Sequence, residues 1–240
     1  MLMYYYFMNP ILIAAAIIPA VFLLIRVYRA DRLEKEPPRL LISLVLFGIL
    51  ATAIAMGIER VGGTILGLIF RSETTLYRIL MYFGVVAFAE EGAKYLLLRI
   101  RTWKNPSFNC QFDGVVYAVF VSLGFALWEN IRYVIAYGFS TALIRAVTAV
   151  PGHACFGVFM GVWYGLAKRF ERLRDEGAKR ICTVLSLVVP TLIHGLYDYI
   201  AVTQSGNHEW VFLLFIAFLF FVSFRIVKYA SEKDKYFPGS

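Results

Sequence analysis

Apolar residues in this chain run in blocks longer than a soluble core requires. Seven stretches approach or exceed the roughly 20 helical residues needed to cross a bilayer. They are Pro10–Val27, Leu40–Ile58, Thr75–Leu98, Val115–Tyr137, Leu143–Ala167, Ile181–Val202 and Trp210–Val227. A shorter run, Thr64–Phe70, is too brief to span alone and is expected to extend the second helix or lie at the interface. The connections between these stretches alternate in basic content. Arg26, Arg29, Arg32, Lys35 and Arg39 follow the first, and Arg99, Arg101 and Lys104 follow the third. Lys168, Arg169, Arg172, Arg174, Lys179 and Arg180 follow the fifth, and Arg225, Lys228, Lys233 and Lys235 close the chain. The first nine residues and the connections around Gly138–Thr141 and Thr203–Glu209 carry no Lys or Arg. Basic loops stay on the cytoplasmic side, so the pattern predicts an outer N-terminus and a cytoplasmic C-terminus. That requires an odd number of crossings, as seven is. Arg60, Arg71 and Arg78 run against the rule, because they fall on the expected outer side.

The expected fold is therefore all-α: a polytopic membrane protein of about seven transmembrane helices, multi-pass in the cell membrane. Residues 1–240 read as one domain, and Glu34–Arg39 with its Pro37-Pro38 pair reads as a short cytoplasmic connector. The composition agrees, with 60% hydrophobic residues and a mean hydropathy of +0.69. The formal net charge of +8 would suit a nucleic-acid binder, but the basic residues lie between apolar segments, where they set topology. No nucleic-acid partner is expected. Cys110, Cys155 and Cys182 are an odd set without metal-type spacing, so no disulfide framework is implied. No basic residue precedes the first apolar run, which therefore reads as a retained span and not a cleaved signal.

Ionisable residues inside the apolar stretches are the candidates for function, because a charge at mid-bilayer costs about 2.5–3.5 kcal/mol even on the lenient insertion scale. The third stretch holds Glu90, Glu91 and Lys94, with Glu90 and Lys94 at the i, i+4 spacing that pairs them along one face. One lysine neutralises only one of the two glutamates. The fourth stretch holds Glu129, Asn130 and Arg132, the fifth Arg145 and His153, and the sixth His194 and Asp198. The first, second and seventh are nearly free of charge, which predicts lipid-facing helices around a polar centre built from helices 3–6. At 1.5 Å per residue, Glu90, Glu129, His153 and His194 fall in the outer half or middle of the membrane.

Ala149, His153, Gly157, Gly161 and Gly165 recur at every fourth position, a stripe of small residues that lets helices approach closely and turns His153 towards another helix. Pro151 and Pro190 precede the two histidines, and prolines are tolerated at membrane depth where the backbone lines protein or a wet cavity. His194 and Asp198 share a face, so the carboxylate can fix the imidazole. Asp113 is expected to cap the fourth helix. Arg132 and Arg145 are expected to snorkel or pair with acids, and His208 to lie on the surface.

Several chemistries are missing a part. There is no His-Glu-x-x-His zinc signature and no Gly-x-Ser-x-Gly nucleophile, and Tyr197-Asp198 has no Gly-x-Gly-Asp to complete an aspartyl pair. What remains is glutamates and histidines in one pocket. Glu90-Glu91-Gly92-Ala93-Lys94 is an EExxK motif, followed by Phe112-Asp113-Gly114 running on to Trp128-Glu129-Asn130. Pro151-Gly152-His153 and His194-Gly195-Leu196-Tyr197-Asp198 come next. Together these four motifs, spread over the core at about 75–202, resemble the PrsW family of intramembrane proteases. Its relatives are the CAAX prenyl endopeptidases and the non-catalytic scaffold subunit of γ-secretase.

The resemblance implies a glutamate-dependent peptidase acting on membrane-associated, single-pass proteins in the lipid bilayer, with an anti-sigma factor as the type of substrate. It assigns the general base to Glu90 with His153 beside it, support to Glu91, and polarisation of the scissile carbonyl to His194 with Asp198. Lys94, Glu129, Asn130 and Asp113 would support them. It ranks a route without a metal cofactor first. Glu90, Glu91, His153 and His194 would hold zinc in the second route. Electrostatics does not choose between Glu90 and Glu91 as the base. Two rivals come from other classes. One is a proton- or cation-coupled transporter, since intramembrane acids and histidines also relay protons. The other is a non-catalytic membrane scaffold subunit.

Overall fold

The computed structural model describes residues 10–72, 74–203 and 209–238, so the expectations placed on the first nine residues and on His208 lie outside it. The described residues form helices α1 (Pro10–Ala30), α2 (Pro38–Ile69) and α3 (Thr75–Ile79), then a π-helical stretch (Leu80–Ala87). They continue with α4 (Phe88–Thr102), α5 (Asp113–Tyr137), α6 (Phe139–Val147), α7 (Ala149–Arg172), α8 (Glu176–Thr203) and α9 (Glu209–Glu232). No strand occurs among them, only an isolated antiparallel bridge between Cys110 and Tyr236.

Six helical stretches are long and apolar enough to span a membrane: α1, α2, α5, α6 with α7, α8 and α9. The stretch expected as the third crossing folds as α3, the π stretch and α4, consecutive in the chain, and is not one of the six found among the described residues. The run expected to extend the second helix does so, carrying α2 to Ile69. The stretch expected as the fifth crossing is interrupted just before its proline. Thr148, at φ −120° and ψ −75°, separates α6 from α7. Pro151 is the physical reason, because its ring crowds the carbonyl four residues back, at Val147, and offers no donor to it.

Helix α5 is the axis. Every residue from Gly114 to Ala126 is buried, as expected of a helix apolar on all sides and surrounded by others. Helices α2 and α7 pack along it, and α8 packs on α7. Two glycines set how close α2 and α5 come. A Cβ on Gly124 would lie 2.3 Å from the Val45 carbonyl oxygen, and one on Gly48 would lie 2.1 Å from that of Val121. On α7 the small-residue stripe meets α5 as expected, with a Cβ on Gly161 reaching 2.4 Å from Val115 Cα. The last helix fits the lipid-facing expectation, with Leu213, Leu214, Phe218 and Phe221 exposed. The first two do more than face lipid. Asn130 Nδ2 donates to the Ala16 carbonyl in α1 at 2.8 Å, and α2 forms one wall of the polar cavity described next.

Candidate active site

The first turn of α4 places Glu90, Glu91 and Lys94 together, and all three are buried. The π stretch leads straight into that turn. Its Phe83 lies against α8 where only a hydrogen fits, since a Cβ on Gly195 would sit 2.5 Å from Phe83 Cδ1. Gly195 follows His194, so this close approach carries His194 up to the glutamates. Lys94 Nζ donates to Glu91 Oε1 at 2.8 Å and to Glu90 Oε2 at 3.2 Å. It also meets His153 Nδ1 at 3.1 Å and stands 3.9 Å from the centroid of the Phe125 ring.

Both histidines are oriented by carboxylates. Lysine can only donate, so His153 Nδ1 accepts and its Nε2–H donates to Glu129 Oε2 at 2.8 Å. Arg145 Nη2 holds the same Glu129 oxygen at 2.8 Å, and its Nε reaches Asn130 Oδ1 at 3.0 Å. On the other side His194 Nδ1 donates to Glu91 Oε1 at 2.9 Å. That leaves His194 Nε2 facing Asp198 Oδ2 at 3.5 Å and Glu90 Oε2 at 3.9 Å. Phe156 stacks on the His194 ring with centroids 4.5 Å apart, and the two imidazoles are 5.4 Å apart, nearly perpendicular.

The structure thus brings together Glu90, Glu91, Lys94, Glu129, Asn130, His153, His194 and Asp198, all singled out in the sequence. Asp113 stays apart, at the far end of α5. It is also not the helix cap it was expected to be. Phe112 occupies that position, and Asp113 Oδ2 instead accepts from the backbone N–H groups of Asn109 and Cys110, which precede it. Its short side chain orders the incoming loop and leaves the helix's own first turn alone. Glu59 was missed. It stands one residue beyond the expected end of the second span and lines the cavity from α2.

That cavity, of about 1120 Å³, is lined by Glu90, Glu129, His153, His194 and Asp198 and runs to Arg60 within α2 and to Tyr137 and Val202 near the ends of α5 and α8. In the bonded network four carboxylates (Glu90, Glu91, Glu129, Asp198) meet two permanent cations, Lys94 and Arg145. The network is short of two positive charges. Moreover, Glu91 Oε2 is buried without a hydrogen-bond partner. One donor atom each from Glu90, His153 and His194 lies within 4.8 Å of the others. Two nitrogens and a carboxylate oxygen are a zinc-type donor set, and a carboxylate behind each imidazole is the usual way to aim its other nitrogen at a metal. The residues present therefore fit a divalent metal. Glu91, counted among the ligands from the sequence, falls outside this trio, and Lys94, which bonds Glu90 Oε2 and His153 Nδ1 as well as Glu91, would have to yield those two atoms to an ion.

Comparison with known proteins adds a family. A family model described as PrsW family intramembrane metalloprotease matches residues 36–225. A Protease PrsW of Bacillus subtilis (strain 168) is 34% identical over 225 residues, covering 91% of this chain and 95% of that protein. The Protease PrsW of Halalkalibacterium halodurans is 34% identical over 224 residues, 93% of this chain and 99% of its own. That of Clostridioides difficile (strain 630) is 29% identical over 233 residues, 94% of each. No solved structure matches significantly.

Proposed function

The chain belongs to the PrsW family of intramembrane proteases, and from that premise we propose that it hydrolyses a peptide bond of a single-pass membrane protein at the Glu90–His153–His194 centre. The observation that carries this reading is the meeting of a carboxylate and two imidazoles, from three separate helices, on the wall of one large cavity. The substrate is a membrane-associated protein of the anti-sigma-factor type, presented within the bilayer. The chain's own orientation is an outer N-terminus and a cytoplasmic C-terminus.

The family's description as metalloproteases favours the metal route that the sequence placed second. Glu90, His153 and His194 would hold the ion, which supplies Lewis acidity to a water and to the scissile carbonyl. The remaining roles belong to the chain. Glu91 Oε1 keeps the proton of His194 on Nδ1, so that Nε2 faces the centre. Glu129, clamped by Arg145, does the same for His153 from the opposite nitrogen. Lys94 balances Glu91 and holds the first turn of α4 closed. Asp198 takes the base role first given to Glu90, because its side chain is 22% exposed against 8% for Glu90 and it reaches the cavity. Its Oδ2 is placed to take the proton of the attacking water and return it to the leaving amine. Asn130 fixes Arg145 and ties it to α1.

The test is cleavage of a single-pass membrane substrate by purified protein in proteoliposomes, with zinc content measured on the same sample. Asp198→Asn should abolish cleavage and keep zinc near one per chain, whereas Glu90→Gln, His153→Ala and His194→Ala should lose both. Cleavage surviving in all four variants overturns the assignment. Substrate-dependent ion flux without a cleavage product would establish a transporter, and a function retained without cleavage would establish a scaffold.

A further inference from the structure

A second group of buried acids lies at the other end of α5, about 24 Å from Glu129 along the helix axis at 1.5 Å per residue. Asp31 comes from the turn after α1, Glu36 from the connector before α2, and Asp113 from the start of α5. They are 1%, 3% and 2% exposed, and one carboxylate oxygen of each lies within 4.8 Å of the others. Asp234, in the segment after α9, approaches Asp113 at the same spacing, with Cys110 beside them.

Backbone N–H groups reach Asp113 Oδ2, from Asn109 and Cys110, and Asp234 Oδ1, from Phe112, but among the described residues no cationic side chain is hydrogen-bonded to these carboxylates. Asp31 Oδ2 and Asp234 Oδ2 are buried with no hydrogen-bond partner. Lys35, the nearby cation, donates to the main-chain carbonyls of Tyr28, at 2.7 Å, and of Asp31, so its charge offsets Asp31 only in part and from outside hydrogen-bond contact. Tyr117 gives Glu36 Oε2 one hydrogen bond, at 2.6 Å. Burial, with neighbouring carboxylates adding to it, pushes Asp31 up to about 6 and Glu36 up to about 7. Leaving buried like charges uncompensated is among the costlier arrangements in a protein.

We propose that Asp31, Glu36 and Asp113 bind a hard divalent cation, magnesium or calcium, which Asp234 closes off from the C-terminal segment. Metal–oxygen distances of about 2.0–2.6 Å put opposed ligands no more than about 4–5 Å apart, and these oxygens all lie within 4.8 Å of one another. The donors are oxygens, the preference of hard ions. The ion would tie the α1–α2 connector, the start of α5 and the tail into one unit, remote from the peptidase centre.

Thermal unfolding of the full chain in lipid nanodiscs, stripped with EDTA and titrated with magnesium or calcium, tests this. Saturation should raise Tm by roughly 5 °C in the wild type and in a Glu90→Gln/His153→Ala/His194→Ala variant, which lacks the other centre. Asp31→Asn and Glu36→Gln should remove the rise and start out more stable in EDTA. The cation effective at lower concentration identifies the occupant. Manganese paramagnetic resonance on the wild type, with zinc restored to the Glu90–His153–His194 centre, should count one further site that magnesium or calcium displaces, a readout independent of how the variants fold. No rise with either cation, or a rise that survives both carboxylate substitutions, would each overturn the proposal.

Discussion

The two ends of α5 bury acids in opposite ways. At the Glu129 end, Lys94 and Arg145 are threaded between the carboxylates, and each imidazole is clamped by one of them. At the Asp113 end three acids crowd together, and their one neighbouring lysine spends its protons on the backbone. The first arrangement is short of two charges and the second of more. A cluster with its own cations can be held in one geometry and reserved for chemistry. A cluster without them is an invitation to a bound ion, and its stability follows whatever neutralises it.

The largest test of that contrast is Lys94→Met. It leaves Glu90 and Glu91 buried without their cation, so stability should fall by about 3–5 kcal/mol, read as a drop in Tm, with cleavage lost as well. Should the variant keep its Tm, internal charge pairing does not hold the Glu129 end together. Next comes Gly124→Val, which drives a side chain into the Val45 backbone of α2. It should cost about 1–3 kcal/mol and weaken both ends of α5 together. An effect on one end alone would separate what the comparison treats as two sites on one rigid axis.

The Asp113 end should respond to pH. Asp31 and Glu36 titrate higher in the folded chain than in the unfolded one, so the folded state keeps protons that the unfolded state has already released. Stability is therefore highest at low pH and declines as pH rises from about 4 to about 7. In EDTA the Tm should fall by several degrees across that window, and saturating magnesium or calcium should flatten the slope. The smallest effect is expected at Gly92, inside the EExxK motif, where a Cβ would meet nothing within 4 Å. Gly92→Ala should change stability by no more than about 1 kcal/mol, in the stabilising direction, and leave cleavage intact.

What the sequence disclosed follows from cost. Charges within apolar stretches are conspicuous, which is why Glu90, Glu91, Lys94, Glu129, His153, His194 and Asp198 were legible before any coordinates. Their partnerships were less so. The tie of Arg145 to Glu129 and Asn130 depends on the break at Thr148, which a continuous hydrophobic run conceals. The π stretch leaves no mark on an already uniform apolar segment. Glu59 escaped because it sits just past Ile58, among polar residues that read as a helix end. Asp31, Glu36 and Asp234 escaped for the same reason on a larger scale, since acids in polar connectors look solvated and nothing in their spacing announces burial.

The central claim is that Glu90, His153 and His194 act as one centre. The most direct measurement is the rate of cleavage of a single-pass membrane substrate in proteoliposomes by Glu90→Gln, His153→Ala, His194→Ala and the triple variant. A single centre predicts that each substitution alone lowers the rate by about 10³-fold or more and that the triple is no worse than the singles. Losses that multiply from one variant to the next, or a single variant that still cuts at the wild-type rate, would contradict it.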